Sequence, residues 1–171
     1  CETKPNSDVY RQVAGMVHPS SGVLARAFRG ALLSMENKHS EAVEVLQGLV
    51  ADGHTESAIL SWLARSLEAL GRKAEAAKYY RELWKQNPQD IRAANNAAYL
   101  LALSSPKDKQ TLSEARSWIA EAVAKAPTVN AIRDTSGWIA YLEGRYQEAV
   151  SDLLLAVRAI PGSPEVHSHL G

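Results

Sequence analysis

Apolar and polar positions repeat along the chain with a period close to 34 residues. One register holds small residues: Gly30, Ala64 and Ala98 are spaced by 34, Gly137 follows after 39, and Gly171 comes 34 later. A second register holds alanines that each follow a glutamate, namely Ala42, Ala76, Ala115 and Ala149. A fixed period of this length is the sequence signature of repeat proteins. Since the sequence lacks period-two alternation and hairpin turn signals, the two registers predict two helices per unit, about ten helices in all and no sheet.

Residues that end helices fall at matching places in the units. Asn37, Gly71 and Gly144 tolerate a left-handed backbone and are expected to end the first helix of their units. Pro88, Pro127 and Pro161 are expected to end second helices, because proline cannot continue the hydrogen-bond ladder. In the first unit Gly53, and not a proline, is expected to end the second helix.

One step of the repeat is five residues longer than the others. The polar segment 104–110 is predicted to be a longer loop between the two helices of that unit. Thr111 and Glu114 follow it with the spacing of a capping box, so they are expected to begin the next helix.

These patterns resemble the tetratricopeptide repeat family, whose period is 34 residues. The fourth unit carries the fullest match, with Gly137, Gly144, Tyr146, Ala149, Leu153, Ala156 and Pro161 at the family's positions. Departures are Arg29 and Ser136, where the family prefers leucine, and Leu49 and Leu83, where it prefers alanine. The resemblance implies an all-α fold, a right-handed α-α superhelix built from antiparallel helix pairs.

The same patterns divide the chain into segments. We expect 1–22 to end a preceding helical repeat, 23–56, 57–90, 91–129 and 130–163 to be four repeats, and 164–171 to begin a fifth repeat or a capping helix. The segments 95–101 and 134–138 also resemble repeats of bacterial envelope proteins tied to exopolysaccharide export. Cys1 is either the lipid-attachment residue of a mature lipoprotein or a boundary at which the chain was cut.

Composition and charge restrict the class of partner. Hydrophobic residues make up 46% of the sequence, enough for a continuous core, and the 19 basic and 19 acidic residues are interleaved. No basic stripe is available to neutralise phosphates, so nucleic acid is not an expected partner. No run of apolar residues has the length of a membrane span, so a soluble chain is expected, in the cytoplasm or in the periplasm and envelope.

The family's groove positions imply that a polypeptide partner contacts the first helices of the units. The candidate partner-binding residues are Phe28, Met35, Trp62, Arg65, Arg92, Asn95, Asn96, Tyr99, Asp134, Trp138 and Tyr141. Aromatic faces supply apolar contact area, and asparagine both donates and accepts hydrogen bonds. Trp138 and Tyr141 have an alternative role, in which they pack against neighbouring helices. The residue set with which some family members grip the carboxylate of chaperone tails is absent from this sequence.

We find no pattern that predicts catalysis. The five histidines are scattered, His167 and His169 lie two apart and do not converge on a metal, and no nucleophile elbow or phosphate-binding loop occurs. Neither a metal, a small-molecule cofactor nor an enzymatic activity is therefore expected. The leading hypothesis is a scaffold that binds a polypeptide segment and helps to assemble a larger complex. The alternatives are a structural spacer that self-associates through its open ends, and an accessory domain of a larger enzyme.

Overall fold

The computed structural model describes residues 22–159, which form eight helices and no strand. The helices are α1 (Val23–Met35), α2 (His39–Ala51), α3 (Ser57–Ala69), α4 (Lys73–Gln86), α5 (Ile91–Ser104), α6 (Lys109–Lys125), α7 (Asn130–Leu142) and α8 (Tyr146–Ala159). The all-α fold predicted from the sequence is confirmed for this range. The preceding repeat expected at 1–22 falls outside it, apart from Gly22. The end of the fourth repeat at 160–163 and the fifth repeat or capping helix expected at 164–171 also lie outside the described residues. None of the eight helices has both the length and the apolar character that crossing a bilayer requires.

Two compact units, Cys1–Tyr79 and Tyr80–Gly171, divide the chain within α4. In the first unit α1 packs on α2, α2 packs on α3, and α1 also contacts α3. In the second unit α5, α6, α7 and α8 pack in chain order, and α5 also contacts α7. Connections of three to five residues make consecutive helices antiparallel. The first helices of successive repeats therefore lie side by side within each unit.

Left-handed residues end helices where the sequence predicted them. Asn37 has φ 61° and Gly71 has φ 72°, and Gly53 and Gly144 are also left-handed. At all four ends the next backbone N–H donates to the carbonyl five residues earlier: Lys38 to Leu33, His54 to Leu49, Arg72 to Leu67 and Arg145 to Ala140. This bond satisfies a carbonyl that a helix end otherwise leaves unpaired.

Small residues let paired helices approach closely. A Cβ added to Gly30 would lie 2.5 Å from Leu46 Cγ, and one added to Gly137 would lie 2.7 Å from Leu153 Cγ. Ala64 and Ala98, in the same register, are fully buried. The register of small residues therefore marks the contact between the helices of a pair.

The prediction of a longer loop at 104–110 is wrong in its detail. The connection at 105–108 has four residues, against three in the other pairs, while α6 has 17 residues and is the longest of the described helices. Most of the extra length therefore extends α6. The predicted capping residue is also wrong: α6 begins at Lys109, and Asp108 is its N-cap, whose carboxylate accepts hydrogen bonds from Thr111 N (2.8 Å) and Thr111 Oγ1 (2.6 Å).

Two tryptophans hold an arginine between α4 and α6 in the second unit. The Arg81 guanidinium carbon lies 4.6 Å from the ring centroid of Trp84 and 5.3 Å from that of Trp118. Its Nη2 also donates to Glu121 Oε1 at 2.8 Å. Because Trp84 is buried, this arrangement desolvates one face of the guanidinium and strengthens its attraction to the ring.

Candidate functional site

The predicted groove residues lie on the first helices of the pairs, four in the first compact unit and seven in the second. Phe28 and Met35 are on α1, Trp62 and Arg65 are on α3, Arg92, Asn95, Asn96 and Tyr99 are on α5, and Asp134, Trp138 and Tyr141 are on α7. None of the eleven is buried.

An apolar cavity of about 190 Å³ lies between α1 and α3 in the first unit. Its lining consists of Leu24, Ala27, Phe28, Ala31, Ala58, Ile59 and Trp62. Leu24 is 72% exposed, and Phe28 and Trp62 are half-buried. Small side chains on both helices open this space, and the two aromatic rings line it. The cavity has the size and chemistry to receive an aliphatic or aromatic side chain of a partner.

A cation lies beside this cavity. Arg65 is exposed, and its guanidinium carbon lies 4.9 Å from the ring centroid of Trp62, one helical turn before it. This contact orients the ring, and the guanidinium keeps its donors for other groups. Deeper between α1 and α3, the buried hydroxyl of Ser66 donates to Ser34 Oγ at 2.9 Å, which fixes the two helices against each other.

In the second unit a hydrogen bond joins α5 to α7. Thr135 is buried, and its hydroxyl donates to Asn95 Oδ1 at 2.7 Å. The Asn95 amide oxygen is therefore used within the fold, and the amide NH₂ is the part of this side chain left for a ligand. Asn96 and Tyr99 are half-buried and Arg92 is exposed on the same helix.

Three aromatic rings form a ladder where α7 meets α8. Trp138 and Tyr141 stack with centroids 5.5 Å apart, and Tyr146 meets Tyr141 edge-on at 5.9 Å. Tyr141 is 48% exposed and Tyr146 is 62% exposed. Trp138 is half-buried and stacks on Tyr141 of the same helix, and its role in partner binding stays a prediction. Tyr146 was matched to the family's pattern but was absent from the predicted site, because only the three-residue turn before α8 brings it next to Tyr141.

A second cavity was missing from the sequence predictions altogether. It lies between α6, α7 and α8 in the second unit and has a volume of about 570 Å³. Arg133, Ser136 and Ala140 of α7 line it, whereas the predicted groove residues of α7 are Asp134, Trp138 and Tyr141. At 3.6 residues per turn these two sets occupy different faces of the helix.

Within residues 22–159 no three histidine, cysteine, aspartate or glutamate side chains come together as a metal site would require. The shifted pKa values among the described residues have simple causes in side-chain hydrogen bonds, several of them within ion pairs. Hydrogen bonding to Glu143 raises the pKa of Arg145, and hydrogen bonding to Arg72 lowers the pKa of Glu75. These pairs lie at or just before the start of second helices.

A family model described as "Tetratricopeptide repeat" matches residues 33–101. Several solved structures share the fold. YrrB, "a TPR protein with an unusual peptide-binding site", has TM-score 0.77 and 18% identity over 95% of this chain and 80% of its own. MamA from Desulfovibrio magneticus RS-1 has TM-score 0.66 and 16% identity over 98% of this chain and 82% of its own. TTC0263, a thermophilic TPR protein of Thermus thermophilus, has TM-score 0.62 and 18% identity over 85% of this chain and 77% of its own.

No curated protein sequence matches the chain significantly. The tetratricopeptide repeat resemblance is confirmed by the matched segment, and the chain has the fold of a tetratricopeptide repeat solenoid. Solenoids of stacked helical repeats present extended concave surfaces on which they bind other molecules.

Proposed function

We propose that this chain is a scaffold that binds a polypeptide segment on the first helices of its repeats and so helps to assemble a larger complex. The observation that carries the proposal is the apolar cavity between α1 and α3, where Phe28 and Trp62 line a space open to solvent. Apolar pockets bordered by an aromatic ring and an arginine are typical of the places where binding energy concentrates at protein interfaces. The second unit adds the half-buried Tyr99 and the amide groups of Asn95 and Asn96.

The residue types favour a partner of mixed polarity. Arg65 and Arg92 are exposed cations, while Asp134 supplies an acidic group on α7. Because both signs of charge occur beside apolar and aromatic surface, a polyanion would meet unfavourable charges. We therefore expect an extended or helical segment that carries apolar side chains and few acidic runs.

The test is to select peptides of about 12 residues that bind the full chain, and then to measure their affinity for Trp62→Ala by fluorescence anisotropy. Truncating an aromatic anchor costs about 2 kcal/mol, so we expect roughly thirtyfold weaker binding. Tyr79→Ala serves as the matched control, because this half-buried tyrosine lies on α4, a second helix. Selected peptides that bind folded Trp62→Ala and Tyr99→Ala as tightly as the parent would move the site away from these helices.

A second candidate function is self-association as a structural spacer. It is favoured by α8, where the apolar side chains of Val150, Leu154 and Leu155 are about half exposed. Val150 and Leu154 lie one turn apart on the same side of the helix. Sedimentation of the parent and of Val150→Lys/Leu154→Lys distinguishes the two candidates: a spacer dissociates on this double substitution, whereas a strictly monomeric parent rules the spacer out.

The expectation of a bacterial envelope location rests on the sequence resemblance of segments 95–101 and 134–138. It belongs to this proposal and is tested separately, by fractionating the protein's own cells and detecting the protein with an antibody. Recovery in the envelope or periplasmic fraction supports this location, and recovery in the cytoplasmic fraction contradicts it.

A further inference from the structure

The cavity between α6, α7 and α8 combines an apolar floor with a polar rim. Ile119, Val123 and Ala140 contribute to the floor, and Arg116, Arg133 and Arg145 contribute to the rim. Its volume of about 570 Å³ lies within the ~300–1,000 Å³ range of small-ligand sites. Every lining residue belongs to the second compact unit, and the cavity lies where α7 packs on both α6 and α8.

The carboxylates around the cavity already have partners. Asp152 accepts from Arg133 Nη1 and from Ser136 Oγ, both at 2.7 Å. Glu143 accepts from Arg145 at 2.9 Å and lies 3.3 Å from Arg116 Nε. Each of these two acids therefore interacts with two donor side chains.

Glu148 completes the acidic set. Both of its oxygens accept from Arg145, one of them from Nε at 2.9 Å. Since Arg145 Nη1 donates to Glu143, all three nitrogens of this guanidinium are engaged. Arg145 and the three carboxylates are therefore already paired with one another or with other side chains. The N–H donors that remain for a ligand lie on other residues of the cavity.

Arg116 and Arg133 supply the N–H donors that remain for a ligand. A guanidinium has five N–H donors. Arg133 uses Nε on the Pro127 carbonyl at 3.1 Å and Nη1 on Asp152, which leaves Nη2. Arg116 uses Nε on Glu143 and Nη2 on Ser113 Oγ at 3.4 Å, which leaves Nη1. The cavity thus has two guanidinium donor groups in excess, one on α6 and one on α7.

We propose that this cavity binds an aliphatic carboxylate, with the carboxylate on Arg116 and Arg133 and the aliphatic part on Ile119, Val123 and Ala140. Guanidinium groups pair with carboxylates through charge-assisted hydrogen bonds, which are stronger than neutral ones. An apolar floor next to a small number of polar groups is the usual composition of a ligand site. The carboxylate comes either from a free small molecule or from a glutamate side chain of a peptide.

Three probes separate these sources: glutarate, the capped dipeptide N-acetyl-Leu-Glu-amide, and its Gln counterpart. Binding to the full chain is followed by titration with NMR detection of the methyl groups of Ile119, Val123 and Ala140. We expect saturable shifts with at least one carboxylate probe, and binding of the Gln dipeptide roughly tenfold weaker than that of the Glu dipeptide if peptides enter. Glutarate binding without dipeptide binding assigns the site to free small molecules. Lack of saturable shifts with both carboxylate probes would overturn the proposal.

Variants keep the test independent of folding. In Arg116→Gln the side chain lost is about half exposed and Glu143 keeps its bond to Arg145, so the fold is expected to survive while affinity falls roughly tenfold. Ala120→Phe places a ring in the cavity from an exposed position of α6 and should abolish binding. Arg72→Gln, an exposed arginine of the first unit, is the control and should bind like the parent. Unchanged affinity in both folded cavity variants, or equal binding of the Glu and Gln dipeptides, would overturn the proposal.

Discussion

Replacement of Gly137 by alanine tests how closely α7 and α8 approach. The added Cβ would lie 2.7 Å from Leu153 Cγ and 3.1 Å from the backbone oxygen of Ala149. Carbon atoms in contact normally lie about 3.5 to 4.0 Å apart. Leu153 is buried, so its side chain has little space into which to move, and the carbonyl moves only together with α8. The substitution therefore has to push the two helices apart.

Two opposing effects determine the size of the loss. Overpacking a tight core contact costs about 1 to 3 kcal/mol. Alanine in the middle of a helix is favoured over glycine by about 0.5 to 1 kcal/mol. We expect the first effect to dominate and Gly137→Ala to lower the free energy of unfolding by about 1 to 2 kcal/mol. A larger side chain, as in Gly137→Leu, should lower it further.

Gly48 provides the matched control. It also lies inside a helix, but a Cβ added there would meet only Arg26 Nη2, at 3.2 Å. That guanidinium is at the surface, paired with Asp52, and the flexible side chain can shift. Gly48→Ala should therefore be neutral or raise the free energy of unfolding by about 0.5 kcal/mol. Urea unfolding followed by circular dichroism measures both variants, and a Gly137→Ala chain as stable as the parent would refute the close approach.

Two further predictions concern side-chain hydrogen bonds in the second unit. Thr135→Val removes the donor to Asn95 Oδ1 while keeping the shape of the side chain. It should lower the free energy of unfolding, measured by urea titration, by about 1 kcal/mol. An unchanged unfolding midpoint would show that this bond does not stabilise the fold. Hydrogen bonds from Thr111 lower the pKa of Asp108. The stability that this charged cap contributes is therefore fully present above the ordinary aspartate pKa. It is lost as the pH falls through the lowered pKa. The parent should therefore lose more stability in acid than Asp108→Asn, whose neutral amide oxygen still accepts, and equal losses in thermal melts of the two would contradict this assignment.

The features of the fold that could be predicted from the sequence are those fixed by one residue and its neighbours in the chain. Asn37, Gly71 and Gly144 mark helix ends because a positive φ selects for asparagine and glycine locally. The start of α6 was misplaced for a related reason. Two capping signals lie three residues apart there, and Asp108 is the N-cap because its carboxylate accepts from both the backbone and the hydroxyl of Thr111. Thr111 therefore donates to the cap and lies inside the helix.

The second cavity depends on residues that only the packing of three helices brings together, and the sequence contains one sign of it. Ser136 stands where the repeat family prefers leucine, a departure that by itself indicates imperfect local packing. In the structure its hydroxyl donates to Asp152 at 2.7 Å, beside the ion pair between Asp152 and Arg133. A leucine here would add volume to a space that Ser136 lines, and it would leave Asp152 with one donor fewer. The serine that stands in place of the family's leucine is therefore hydrogen-bonded to Asp152, sixteen residues further along the chain. In this chain the polar residue at an apolar family position donates to a charged residue on the next helix, and both residues line the same cavity.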